Sequence, residues 1–163
     1  MKRYYLKQKV LALKDTYSVF DESGKEVFHV KGAWISFTRR KDFCEPTGEI
    51  LFTIRRMLFH LLPHYSLTDS SGKEVANIKK RFTVLSHRID ILSSRGDYSI
   101  TGDFMAHDFT IEKAGQAVVE IHKKWMSWGD SYEIGVSDEE NASFYVALVV
   151  MIDDCLYNRK NHR

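Results

Sequence analysis

The stretch from Ala142 to Ile152 contains no charged residue, and placed on a helix its apolar side chains point in every direction. A helix at a protein surface shows one apolar stripe, whereas one that is apolar all round is buried. The run is too short for a membrane span, which needs about 20 apolar residues, and Asp153 and Asp154 end it. Ser137 with Glu140 reads as a capping box opening this helix over 138–158. Asp138, Glu139 and Glu140 sit at the positive end of its dipole, with Arg159 and Lys160 at the negative end. The rest of the chain must therefore build a wall around a C-terminal rod.

The wall is written as a repeat. Asp21-Glu-Ser-Gly24-Lys-Glu-Val-Phe-His-Val-Lys31, Glu45-Pro-Thr-Gly48-Glu-Ile-Leu-Phe-Thr-Ile-Arg-Arg56 and Asp69-Ser-Ser-Gly72-Lys-Glu-Val-Ala-Asn-Ile-Lys-Lys-Arg81 share one pattern, and Glu112-Lys-Ala-Gly115-Gln-Ala-Val-Val-Glu-Ile-His-Lys-Lys124 is a later copy. Gly24, Gly48, Gly72 and Gly96 are spaced by 24 residues. Each copy reads as a hairpin, with a glycine turn between runs of period-2 alternation. The pattern predicts twelve strands, over 3–11, 16–21, 26–31, 34–44, 49–55, 64–68, 74–80, 83–92, 97–101, 107–112, 117–124 and 131–136. No strand–helix alternation is present, which argues against a parallel sheet. Closing twelve antiparallel strands removes their exposed edges. A barrel of about eight strands is filled by its own side chains, so twelve call for a filler, and the helix is the right length for one.

These features carry a family resemblance. The hairpin repeat, the segment Thr53-Ile-Arg-Arg-Met-Leu-Phe-His-Leu-Leu-Pro-His-Tyr65, the strand Asp108-Phe-Thr-Ile111 and the apolar helix ending in Ile152-Asp153 together resemble the LURP-one-related family, in its short bacterial form. That family belongs to the tubby C-terminal-like superfamily, which includes the phospholipid scramblases. The resemblance covers nearly the whole chain, 1–163, as a single domain. It implies a closed twelve-stranded β-barrel threaded by a hydrophobic C-terminal helix. Tubby-type relatives bind phosphoinositides, but their lipid-binding residues do not map one by one onto this sequence and are not carried over.

Net charge is only +2, with 24 Lys and Arg against 22 Asp and Glu, so a basic surface has to be local. An antiparallel meander puts every glycine turn at one end, gathering Asp21, Glu22, Glu45, Asp69, Glu112 and the acidic helix start. The opposite rim would gather Lys31, Arg55, Arg56, Lys79, Lys80, Arg81, Lys123, Lys124 and the helix exit. It also carries two apolar loops, 57–63 and 125–129, the second with Trp125 and Trp128. Basic groups beside Trp and aliphatic side chains suit an anionic lipid surface. The plainer alternative is that both loops fold inward and plug the barrel, since exposed apolar patches are uncommon. A protein–protein or regulatory scaffold without lipid affinity is the competing function. Nucleic acid would use the same rim, with Trp125, Trp128 and Tyr65 stacking, but no nucleic-acid motif accompanies it.

Chemistry is sparse. His60 and His64 are four apart, but Pro63 lies between them and no third ligand is near, so they do not read as a metal site. His107 and Asp108, as neighbours on a strand, point to opposite faces. No catalytic constellation, cofactor motif or metal site emerges, and the chain reads as a non-enzyme. One of Asp153 and Asp154 should face the wall and need Arg, Tyr or backbone amide partners there. Cys44 and Cys155, the two cysteines, read as reduced, consistent with a cytoplasmic protein lying free or peripherally at the inner membrane face.

Overall fold

The computed structural model describes residues 1–8, 16–32, 40–57, 64–79, 89–103, 106–126 and 129–157, with backbone alone at 8, 79, 125, 126, 129, 130 and 157. It contains the twelve strands: β1 (Lys2–Gln8), β2 (Tyr17–Asp21), β3 (Glu26–Gly32), β4 (Lys41–Cys44), β5 (Ile50–Met57), β6 (His64–Asp69), β7 (Glu74–Lys79), β8 (Ile89–Ser93), β9 (Tyr98–Asp103), β10 (Asp108–Lys113), β11 (Gln116–Met126) and β12 (Gly129–Val136). Each pairs antiparallel with its neighbours in the chain, and β1 pairs with β12, from Lys2↔Val136 to Lys7↔Ser131, to close the barrel. A short 3-10 turn, Glu139–Asn141, leads into α1 (Ala142–Tyr157). No helix among the described residues is long and apolar enough to cross a membrane.

The 24-residue period survives as layers of the interior. Val19, Phe43, Leu67 and Ile91 are all buried and lie 24 apart. Phe52, Ala76 and Ile100 form a second such series, and Val30, Ile54 and Ile78 a third. Period-2 alternation sends these positions inward, and the antiparallel register stacks equivalent residues around the ring. Phe144 to Ile152 are each at most 4 % exposed, so α1 fills the centre. Its sixteen residues rise about 24 Å. Phe144 meets Phe52 of β5 and Tyr98 of β9, with ring centroids at 6.1 and 6.2 Å.

The hairpin turns repeat in detail. Asp21 Oδ1 accepts from the Ser23 N–H and hydroxyl and from the Lys25 N–H, and Asp69 does the same with Ser71 and Lys73. The serine hydroxyls hold both carboxyls below the usual range. Beside each of these turns the ladder gains a residue, so that Phe20 pairs with Glu26 while Val19 pairs with Phe28. Such a bulge re-aims the strand. Here it returns Glu26 to the outer face while keeping Phe28 inward. Gly102, at φ +131, is constrained differently: a Cβ there would stand 2.6 Å from the Asp108 carbonyl oxygen and 2.7 Å from Phe109 Cα.

The cap of the helix differs from the expectation. Asp138, not Ser137, caps the 3-10 turn that leads into it, its side chain accepting from the Glu140 N–H and the Asn141 side-chain amide. Ser137 instead ties the end of β12 to β11, with N–H and hydroxyl both donating to the Val118 carbonyl. A serine still pairing with a strand is not available to a helix one residue later. Cys44 and Cys155 are both buried, and no disulfide joins them.

Gly24 also has positive φ, but a Cβ added there would meet no atom within 4 Å. Replacing it by alanine costs only backbone strain, about 1 kcal/mol. Gly102→Ala adds a backbone collision to that strain and should lower the urea midpoint clearly more than Gly24→Ala.

Candidate functional site at the basic end of the barrel

The turns holding Gly24, Gly48, Gly72, Gly96 and Gly115 all lie at one end, together with the start of β1 and the start of the helix. Lys2 Nζ reaches Glu139 there at 3.3 Å, and Arg95 donates to Asn141 while lying 4.5 Å over the Phe144 ring. This end holds twelve acidic residues (Asp21, Glu22, Glu26, Glu45, Glu49, Asp69, Glu74, Asp97, Glu112, Asp138, Glu139, Glu140) against six basic ones (Lys2, Arg3, Lys25, Lys73, Arg95, Lys113). Its net charge is −6, while the other described residues balance at nine basic and nine acidic; the remaining +8 of a chain whose total is +2 belongs to residues outside the described ones.

At the opposite mouth the helix runs out against a set of polar side chains. Lys41, first residue of β4, donates to Asp154 Oδ1 at 2.7 Å, both side chains nearly shut off from water, at 4 % and 0 % exposure. Tyr65, near the start of β6, donates to the Asp154 carbonyl at 3.2 Å. Tyr17, first in β2, donates to Asp153 Oδ2 at 3.3 Å, and its ring lies 5.1 Å below the Lys41 ammonium. Tyr132 also bonds Asp153 and meets His107 Nδ1 at 2.9 Å. Burial pushes the Asp153 carboxyl up to about 6; Lys41 opposes this, the neighbouring Asp154 charge adds to it, and the Tyr17 and Tyr132 hydroxyls oppose it. An ammonium, three phenols and two carboxyls thus bind the end of the helix to four separate strands.

The expected wall partners of the aspartates are therefore tyrosines and a lysine. Lys41 was hidden in sequence because 113 residues separate it from Asp154. The repeat nevertheless marks it: Tyr17, Lys41 and Tyr65 each lie seven residues before a turn glycine, so all three occupy one inward layer. Tyr65 is 3 % exposed, which removes it as a base-stacking platform.

The basic residues of the rim divide by strand face. Arg55 and Lys124 are exposed on the outer face, Lys124 meeting Glu133 at 3.4 Å. Arg56 follows Phe52 and Ile54 on the inward register, beside Tyr65. Lys123 follows Val119 and Ile121 in the same way, beside Tyr132. The backbones of Lys79 and Trp125 lie at this end of β7 and β11. Lys80, Arg81, Trp128, Arg159, Lys160 and residues 58–63 fall outside the described residues. Met57, where the first apolar loop begins, is 41 % exposed. His64 begins a strand rather than sharing a helical face with His60, which also lies outside the described residues. His107 and Asp108 do face apart: His107 turns to Tyr132, and Asp108 meets His122 at 3.0 Å.

Two outcomes follow from the mouth. Lys41→Met strands a buried carboxylate and should cost about 3–5 kcal/mol, with much of that loss recovered in the double variant Lys41→Met/Asp154→Leu, as read by urea denaturation. Asp153 has a folded pKa of about 6 against an ordinary value of 3.8. Its contribution is fully present below the ordinary value and is lost as the pH rises through the folded one. Asp153→Asn should therefore gain stability over the parent between pH 4 and 6, by about 3 kcal/mol above that window, and match it near pH 3.

The family model for LURP-one-related proteins matches residues 2–153. YxjI of Bacillus subtilis (strain 168), described as an uncharacterized protein, is 30% identical over 154 residues, spanning 94% of this chain and 93% of YxjI. The X-ray structure of a protein from Arabidopsis thaliana shares the fold at a TM-score of 0.69 and 15% identity, over 94% of this chain and 90% of that one. With a relative aligned end to end and the family's pattern running from β1 into the last turns of the helix, this chain belongs to the LURP-one-related family.

Proposed function

We propose that the protein docks on anionic phospholipid surfaces through the end of the barrel opposite the glycine turns. The observation that carries this reading is the net charge of −6 gathered at the turn end, against a neutral balance over the other described residues. A body with its negative charge gathered at one end turns that end away from a negative surface before contact. Each Lys or Arg near such a surface contributes about 1 kcal/mol. Arg55 and Lys124 stand exposed at that end, and Met57 beside Arg55 and Arg56 offers apolar area to the headgroup layer. Arg56 and Lys123, on inward positions, supply positive potential from inside the mouth rather than direct contacts. The buried ion pair beneath them keeps the helix end fixed, so the surface is presented by a rigid element.

Co-sedimentation with phosphatidylserine vesicles should recover the protein at low salt and lose it at high salt, with phosphatidylcholine vesicles recovering little. Arg55→Glu combined with Lys124→Glu should reduce recovery about tenfold or more, while Lys25→Glu with Lys73→Glu, at the turn end, should leave it unchanged. Equal absence from both kinds of vesicle removes the reading. A protein bound stoichiometrically by the same end, without vesicle recovery, would favour the scaffold instead.

A further inference from the structure

One ammonium serves two carboxyls at the mouth. Lys41 takes up the charge of Asp154 at 2.7 Å. Asp153 makes no ion pair among the described residues and leans on phenols, Tyr17 donating to its Oδ2 at 3.3 Å and Tyr132 bonding it from β12. A carboxylate held out of water beside a like charge takes a proton more readily than one in water. Burial pushes Asp153 up to about 6, with Lys41 opposing and Asp154 adding. The other titratable groups facing this end among the described residues are Tyr65 on β6, Arg56 paired with it on β5, and Lys123 paired with Tyr132 on β11. On the β9–β10 turn stand His107, against Tyr132, and Asp103, accepting from the Ala106 N–H.

His107 has φ 55°, a left-handed backbone that residues other than glycine rarely adopt. Held in this way, the half-buried residue sets its ring against Tyr132, with centroids 5.3 Å apart and Nδ1 2.9 Å from the phenol oxygen. Tyr132 has a single proton to donate and two neighbours that can accept it. With Asp153 ionised, the phenol donates to the carboxylate and the imidazole donates from Nδ1 to the phenol oxygen. A proton added at Nε2 reverses the string. Nδ1 gives its proton to the phenol oxygen, the phenol gives its own to Asp153, and the imidazole ends neutral in the other tautomer. One proton has entered and one has arrived, with no heavy atom displaced. Imidazole is the side chain suited to such exchange near neutral pH.

We propose, resting on the docking reading, that this string makes docking sensitive to pH: a proton relayed through His107 and Tyr132 to Asp153 removes one negative charge from the mouth and tightens its hold on an anionic lipid surface. Outside the turn end the described charges balance at nine basic and nine acidic, so one added proton leaves them net positive. The coupling is reciprocal, and an anionic surface in turn favours the protonated Asp153. The Lys41–Asp154 pair takes no part in the relay, so the helix end stays tied to β4 in both states.

The test is co-sedimentation with phosphatidylglycerol vesicles, whose phosphodiester keeps its charge across the range, at about pH 7.5 and about pH 5. Asp153→Asn carries the neutral form permanently. It should bind about fivefold more tightly than the parent at the higher pH and match it at the lower one. Exposed imidazoles charge equally in both proteins, so the ratio between them isolates Asp153. Equal binding by parent and variant at both pH values overturns the proposal. The relay is read separately, by carboxyl- and imidazole-detected NMR titration without vesicles. Tyr132→Phe removes a donor to the ionised carboxylate, so the Asp153 midpoint should rise and the matching step in the His107 Nδ1 signal should disappear. An unmoved midpoint overturns the relay whether or not vesicles bind. No recovery of either protein at either pH removes the docking reading, and this control of it, even where the NMR result stands.

Discussion

A ring of twelve strands is wider than its own side chains can fill, and the structure depends on satisfying that requirement with a segment of the same chain. The filler is α1, whose residues 144–152 are buried on all sides. Every strand contributes an inward row, and the rows at 24-residue spacing become layers against the helix. Hydrophobic burial of this kind is non-directional. It holds a rod in a tube without fixing how far the rod slides along it or how it turns. Direction comes from the two ends, where the contacts are polar: Asp138 and Arg95 at one, Lys41 and Asp154 at the other.

The mouth cluster explains why two aspartates can close an otherwise apolar segment. A lone buried carboxylate would be costly. Lys41 matches the charge of Asp154, while Asp153 keeps part of its surface open and leans on the phenols of Tyr17 and Tyr132. Pairs of this sort contribute modestly to stability relative to a well-packed apolar replacement but strongly penalise a misplaced partner. They suit a joint whose register matters. The surrounding cations then rest on a platform that does not shift.

Much of this architecture was legible in the residues. The all-round apolar run gave away the central helix, and the glycine spacing revealed the strand count and which end each turn occupies. What escaped was anything set by contacts between distant segments. Lys41 meets Asp154 across the whole barrel, and only its place seven residues before Gly48 hints at an inward side chain. Ser137 and Glu140 make a capping pattern, yet β12 continues to the residue before Ser137 and claims its hydrogen bonds for β11. Alternation sends Ser18 outward, yet it is 2 % exposed, because its burial is set by the shape of the outer wall, which alternation does not encode.

The β1–β12 seam sets an order of events during synthesis. Lys2 pairs with Val136, so β1 waits until β12 has been made before its second edge is covered. The rod that must occupy the lumen is made later still. Until it arrives, the interior rows of Val, Ile and Phe face water, and the first strand offers an open template to any neighbouring chain. Nascent copies are thus most exposed to one another, and most in need of a chaperone, in the interval between the ends of β2 and α1.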